Sequence, residues 1–566
     1  MSLDYTMLKQ NPFFLDDEAI NWVKQTLSRM NLDEKIGQVF CAEIRAGDEK
    51  TFFEIVHKHK MGAVMCLPAP LNDMHSLISN IQKNSTIPFL IAGNLEEGAD
   101  AIRGATNIAN NLMIGATGDT SLARKMGAIT AAEATAVGMN WAFAPVIDIG
   151  MNWRNPVIAT RVFGTDPGFV AAAGAEFTRG MQSKGMAAAI KHFPGDGVDE
   201  RDQHFSPTIN SLSCEEWDNT YGEAYRSAIR AGALTAMVGH IMQPAWAKKI
   251  NPSLEDRDQL PASTSKELLQ GLLRNHLGFN GMITTDSTTM TGFDQLIPRQ
   301  QAIPAALAAG CDMILFTKDM DEDISSLKVG IEQGIVTMER LDEAVLRVLA
   351  VKAALGLHHG KYQESMETAQ MTFNRPEHKQ TEQECADRSV TLVKNHDALL
   401  PISPEKQKRI YLVTYAEGRG FGNSTEGMAA ALKEKLESEG FCVTCHCDHP
   451  QDAPIRGSHQ YMKDHYDLIL YASNLNSISN NTVCRLNWAP SMGKDAPDFI
   501  FEIPTMYISF GNPYHLVDVP RVKTFINAYK FKPAVIDAVV DKLLGRSEFI
   551  GKNPVDPFCG FWDTRL

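Results

Sequence analysis

The stretch Met186-Ala187-Ala188-Ala189-Ile190-Lys191-His192-Phe193-Pro194-Gly195-Asp196-Gly197 decides the architecture. Its apolar run is too short for an ordinary helix, and Pro194, Gly195 and Gly197 end any regular element soon after it. It reads as a buried strand that delivers Lys191 and His192 to its carboxyl end and then breaks into a loop. The preceding residues, 169–185, are helix-like and stop at Gly185, as a helix C-terminus often does. This unit of helix, short apolar strand and polar loop recurs along the chain. Candidate strands lie at 36–44, 62–67, 88–92, 141–147, 186–191, 234–239, 281–285 and 312–316. Helix-like stretches such as 121–138 separate them. Eight alternations predict an α/β fold, an N-terminal (β/α)8 TIM-like barrel; a doubly wound open sheet is the other reading of the same pattern.

An amphipathic segment, 341–357, closes the barrel pattern. Residues 361–388 are polar and charged and read as a linker. Alternation resumes with strand-like 389–394, 409–414, 441–445, 467–471 and 505–510, with a helix-like 427–440 between them. The expected organisation is a catalytic barrel over 1–360, a linker over 361–388 and a C-terminal α/β sandwich over 389–566.

Charge narrows the function. The 566 residues hold 54 Lys and Arg against 68 Asp and Glu, a net charge of −14. Phosphate backbones need a basic footprint, so nucleic acid is not expected as a partner. The same balance argues against a polybasic membrane anchor, and no apolar run approaches the roughly 18–20 residues of a membrane span. The start, Met1-Ser2-Leu3-Asp4-Tyr5, has no basic region followed by an apolar stretch, and the ten cysteines are scattered, mostly within apolar strings. Reduced, buried thiols in a cytoplasmic protein are the expectation.

Barrels of this kind place their chemistry on the loops after the strands. Four strand ends carry suitable groups: Glu96-Glu97, Lys191-His192, His240 and Asp286. Asp286 ends an apolar run and reads either as a nucleophile at the barrel mouth or as a helix N-cap, since Ser287, Thr288 and Thr289 follow. The loop 191–204 is the densest polar cluster in the chain. In it Asp202 and His204 stand two apart, so a bent loop can bring the carboxylate to one imidazole nitrogen and fix the tautomer of a general acid/base. A solvated charged loop is the alternative. A metal reading would draw on His192, Asp196, Asp199, Asp202 and His204, but their spacing matches no standard zinc pattern.

These residues also carry a resemblance. Lys191–Gly197 (KHFPGDG) followed by Asp202-x-His204 resembles the signature loop of glycoside hydrolase family 3 β-N-acetylglucosaminidases. Phe143-Ala144-Pro145-Val146-Ile147-Asp148, Asn155-Pro156 and Arg161-Val162-Phe163-Gly164 resemble further motifs of that family. So do the segment from Gly278 to Asp286 and the run Ser389-Val390-Thr391-Leu392-Val393-Lys394-Asn395 that opens its second domain. The resemblance implies that Asp286 is the nucleophile of a retaining reaction through a covalent glycosyl-enzyme. It implies that Asp202 and His204 form the acid/base dyad, and that Arg103, Arg161, Lys191 and His192 hold sugar hydroxyls. His240 is expected among the substrate-binding residues. Neither a metal nor an organic cofactor is expected. The implied substrates are small saccharides ending in β-linked N-acetylglucosamine, such as chitobiose or cell-wall sugars.

The chain departs from the family twice. Asp196 stands where the family often has histidine, and Leu95 falls where it usually has an aspartate after the third strand, which leaves Asn94 or Glu96 as replacement acceptors. Rival functions are a phosphorylase with phosphate as acceptor, a β-glucosidase of the same family, and a sugar-binding protein without catalysis; intact Asp286, Asp202 and His204 argue against the last. Two other signals stand outside this resemblance. Cys442-Val443-Thr444-Cys445-His446 fits a haem-attachment pattern but reads better as a strand, with Cys447 and His449 as further candidate metal ligands. Trp488, beside Arg485 and Asn487, could stack on a sugar or lie at a domain interface.

Overall fold

The eight short apolar runs pair edge to edge until no edge is left. The computed structural model describes residues 3–417, 424–446, 458–476, 478–480, 482, 485–488, 493 and 495–566. Its barrel strands are β1 (Phe40–Ile44), β2 (Ala63–Cys66), β3 (Leu90–Gly93), β4 (Trp141–Ala142), β5 (Ala187–Phe193), β6 (Thr235–Val238), β7 (Met282–Ser287) and β8 (Met313–Leu315). Each pairs in parallel with the next, and β8 returns to β1 through Phe40 opposite Ile314 and Cys41 opposite Leu315. Closure removes the unpaired edges that an open sheet exposes. All seven residues of β5 are buried, as expected of a parallel strand covered on both faces.

Several strand boundaries differ from expectation. Residues 36–38 belong to the helix Leu32–Gln38, which a reciprocal cap starts: the Glu34 amide donates to Asn31 Oδ1 and the Asn31 amide to Glu34 Oε2, both at 3.0 Å. The strand at 141–147 shrinks to two residues, because Pro145 has no amide to donate. β5 and β7 instead run further than expected, to Phe193 and Ser287, and so carry their polar ends within the strand.

Helices α1 (Asp17–Arg29), α2 (Thr120–Ala136), α3 (Pro167–Gln182) and α4 (Met338–Ala354) lie among those that jacket the barrel. α2 and α3 approach closely because Gly180 has no side chain; a Cβ there would run into the Arg124 carbonyl. The stretch 361–388 contains the helix Met366–Thr372 and most of the helix Pro376–Ser389. It is tied to α2 by the buried carboxylate of Glu133. That group accepts from the Asn374 amide at 3.0 Å, the Thr106 amide at 2.8 Å and the Thr106 hydroxyl at 2.6 Å, and pairs with His378 Nδ1 at 2.8 Å. Burial alone would raise its pKa, yet these partners hold it below the usual value.

A second sheet has six strands: β9 (Thr391–Asn395), β10 (Arg409–Glu417), β11 (Cys442–Cys445), β12 (Leu468–Leu475), β13 (Thr505–Ser509) and β14 (Thr524–Asn527). Their order is β9-β14-β13-β12-β10-β11, parallel except for the antiparallel β9–β14 pair. β14, only four residues long, is absent from the sequence reading. Helices α5 (Thr425–Ser438) and α6 (Pro533–Leu543) accompany the sheet. Tyr471, Tyr507 and Phe525 stack in its core, with ring centroids 6.2 and 5.2 Å apart.

The chain forms two compact units that do not follow its order. One comprises residues 1–108, 120–152 and 166–379; the other comprises 109–119, 153–165 and 380–566. The haem-like motif is strand β11, with Cys442 exposed, Cys445 buried and His446 Nδ1 3.0 Å from the Tyr411 hydroxyl. Cys447 and His449 lie outside the described residues. Trp488 packs edge-on against Tyr415, with ring centroids 5.6 Å apart, on the core of the second sheet. Among the described residues no helix is long and apolar enough to cross a membrane.

Candidate active site

The carboxyl ends of β5, β6 and β7 bring the polar groups together. Asp286 lies within β7 and is buried; its Oδ1 accepts from the Ser287 amide at 2.7 Å. No helix begins there, since the next short helix is Thr291–Asp294, so the N-cap reading fails. Burial would push the Asp286 carboxyl up. The charges of His192, His240 and His204, with the Ser287 amide, outweigh burial and hold it below the usual carboxylate value. An anion in a buried, positively biased position is what attack on a sugar carbon requires.

The loop after β5 supplies the partner. His204 Nδ1 lies 2.5 Å from Asp202 Oδ1, which also accepts the His204 amide at 2.8 Å. Asp202 is buried and His204 partly exposed. A carboxylate acceptor keeps the proton on Nδ1 and leaves Nε2 for chemistry. Two contacts fasten this dyad to neighbouring strand ends. The Thr291 amide, five residues beyond Asp286, donates to the His204 carbonyl at 2.9 Å. The His240 amide donates to Gln203 Oε1 at 2.7 Å.

Upstream, the loop is braced by buried aromatic groups. Trp217 Nε1 donates to the Pro194 carbonyl at 2.8 Å, and the Tyr221 hydroxyl to the Asp196 carbonyl at 2.6 Å. Gly195 has a φ of +121°, and a side chain there would meet the Tyr221 ring. Asp148 organises the loop's start. It pairs with His192 Nδ1 at 2.7 Å and accepts the His192 and Asp196 amides at 3.1 and 2.8 Å. Asp148 was visible in the sequence only as the end of a motif, with no role attached.

Lys191 is almost fully buried, and its Nζ lies 2.7 Å from Glu96 Oε1. Leu95 is fully buried. The carboxylate beside Lys191 is therefore Glu96, one residue further along and one methylene longer than the aspartate of the family pattern. His240, expected at the substrate, has protein partners at both ring nitrogens: Ser263 Oγ and the Ser287 carbonyl, each at 3.0 Å. Burial lowers its pKa. This leaves it as a prop under the end of β7. Arg103 is exposed on the two-residue strand Ile102–Arg103. Arg161 belongs to the second unit, where its carbonyl accepts from Asn111 Nδ2 at 2.7 Å. Among the described residues the loop's candidate metal ligands are paired off: His192 with Asp148, His204 with Asp202 and Asp199 with Arg201.

Comparison with known proteins gives the family. Residues 31–351 match the profile of the glycosyl hydrolase family 3 N terminal domain. A beta-N-acetylglucosaminidase/beta-glucosidase of Cellulomonas fimi is 44% identical over 98% of this chain and 99% of its own. Beta-hexosaminidase A of Pseudoalteromonas piscicida is 27% identical over 62% of each chain. Among solved structures, a beta-glucoside phosphorylase aligns over 100% of both chains with a TM-score of 0.94 and 41% identity.

Proposed function

The chain belongs to glycosyl hydrolase family 3 and is a glycosidase, and from that premise we propose that it is a retaining, exo-acting β-N-acetylhexosaminidase that removes terminal β-linked N-acetylglucosamine from small saccharides. Asp286 attacks the anomeric carbon while His204, steadied by Asp202, protonates the departing oxygen. The same imidazole then takes a proton from the incoming water, and the sugar leaves with retained configuration. Retaining glycosidases usually use two carboxylates. Here an imidazole takes one part, a group that can both give and accept a proton. Lys191 with Glu96, and His192 with Asp148, hold sugar hydroxyls, and we assign Arg103 and Arg161 to the same task. His240 positions β7. The observation that carries this reading is the buried Asp286 anion beside the Asp202–His204 pair. A cytoplasmic setting and a role in cell-wall sugar recycling accord with it.

A second reading keeps the first half-reaction and replaces water with inorganic phosphate. Full-length likeness to a beta-glucoside phosphorylase favours it. So does the neutral base form of an imidazole, which does not repel a dianion as a carboxylate would.

The test uses p-nitrophenyl β-GlcNAc and β-glucoside, each with and without phosphate, with products followed by NMR. Hydrolysis with retention on the GlcNAc substrate supports the first reading; sugar 1-phosphate supports the second. A labelled 2-fluoro sugar should modify the wild type and leave Asp286→Ala unmodified. Label on the variant would remove Asp286 from its role.

A further inference from the structure

Two histidines and a glutamate that stand some 340 positions apart in the sequence converge. We propose that Glu18, His358 and His359 bind a divalent transition-metal ion, zinc being the best chemical fit. One ligand atom from each lies within 4.8 Å of the other two. Glu18 stands in the first turn of α1. The histidines form the turn Leu357–His359, just after α4. This proposal is independent of the glycosidase reading.

The turn is built to present both rings together. Gly356 and Gly360 flank it with φ of +70° and +78°, left-handed positions that favour glycine. In an extended strand consecutive side chains point to opposite faces. Here the two imidazoles face the same region, with ring centroids 3.9 Å apart. Trp22, one turn beyond Glu18 on α1, packs against His358 at 5.6 Å. His358 Nδ1 is shielded from solvent and has no hydrogen-bond partner. A shielded imidazole nitrogen without a partner is a costly arrangement that coordination would relieve.

The donor set selects the ion. Two imidazoles and one carboxylate match zinc and its neighbours, whereas calcium and magnesium take oxygen ligands. Tetrahedral bonds of about 2.0–2.1 Å place ligands about 3.4 Å apart, which side-chain rotation can reach from the present spacing. The remaining coordination positions would be taken by water, because Glu18 and His359 are exposed. A bound ion would clasp α1 to the end of α4.

Calorimetric titration of the metal-stripped full-length protein with zinc chloride tests this. One equivalent should bind with a micromolar dissociation constant, and magnesium should not compete. His359→Ala and Glu18→Gln should each weaken binding at least tenfold. Both replace exposed side chains, so circular dichroism should match the wild type, and His465→Ala, in the second unit, should bind as the wild type does. Zinc should raise the melting temperature of the wild type more than that of either variant. No binding by the wild type, or equal binding by wild type and both variants, would overturn the proposal.

Discussion

Asp202 and His204 are two residues apart, and their roles separate by leaving group. General acid assistance contributes about 10²–10⁴-fold where the departing oxygen is a poor leaving group. His204→Ala should therefore lose about that much on a disaccharide but roughly tenfold or less on an activated phenyl glycoside, which steady-state kinetics on paired substrates will show. Equal losses would contradict the assignment. Glu96→Gln should behave differently. It removes the carboxylate charge that lies 2.7 Å from the buried Lys191 ammonium, so kcat/KM should fall about 10–100-fold on good and poor leaving groups alike. A loss that tracked leaving-group quality would give Glu96 a part in proton transfer instead.

Strand ends and helix faces carry these residues, and the sequence revealed the two unequally. The apolar runs marked all eight barrel strands because each is short, buried and bounded by punctuating residues. Their ends were less legible. Asp286 could cap a helix or finish a strand until the pairing of β7 with its neighbours was known, since Ser-Thr-Thr suits either local structure. Helix α4 offers a test at this scale. Lys352 is fully buried, with Nζ 2.7 Å from Gln38 Oε1, and burial lowers its pKa to about 7. The unfolded chain keeps that proton up to a pKa of about 10.4, so between these values the unfolded state binds more protons and stability rises with pH. From pH 7 to 9 the gain should be about 2 kcal/mol, and it is lost again as pH falls back toward 7. Denaturant titrations of Lys352→Met should lack this component; an unchanged pH slope would show that Lys352 is not its source.

The molecule as a whole is not assembled in chain order. Segments 109–119 and 153–165 leave the barrel and pack with 380–566. Asn110 Nδ2 donates to the Tyr529 carbonyl at 2.9 Å, and the Thr165 amide to the Pro554 carbonyl at 2.9 Å. Leu112, Ile114, Val157, Ile158, Val162 and Phe163 on these segments are buried. A chain truncated to 1–379 would strip their partners and expose an apolar surface. We expect it to aggregate or to melt at least 10 °C below the full chain; a soluble, equally stable fragment on gel filtration and thermal denaturation would refute this. The sequence by itself determined the barrel, the second α/β sheet and the loop with its Asp-x-His pair, because strand length, punctuation and residue type act locally along the chain. Only the tertiary structure decided that Glu96 meets Lys191, that His240 props β7, and that two barrel excursions pack with the distant C-terminal sheet. Those outcomes depend on which surfaces meet after closure, and spacing along a chain does not encode distances between residues tens to hundreds of positions apart.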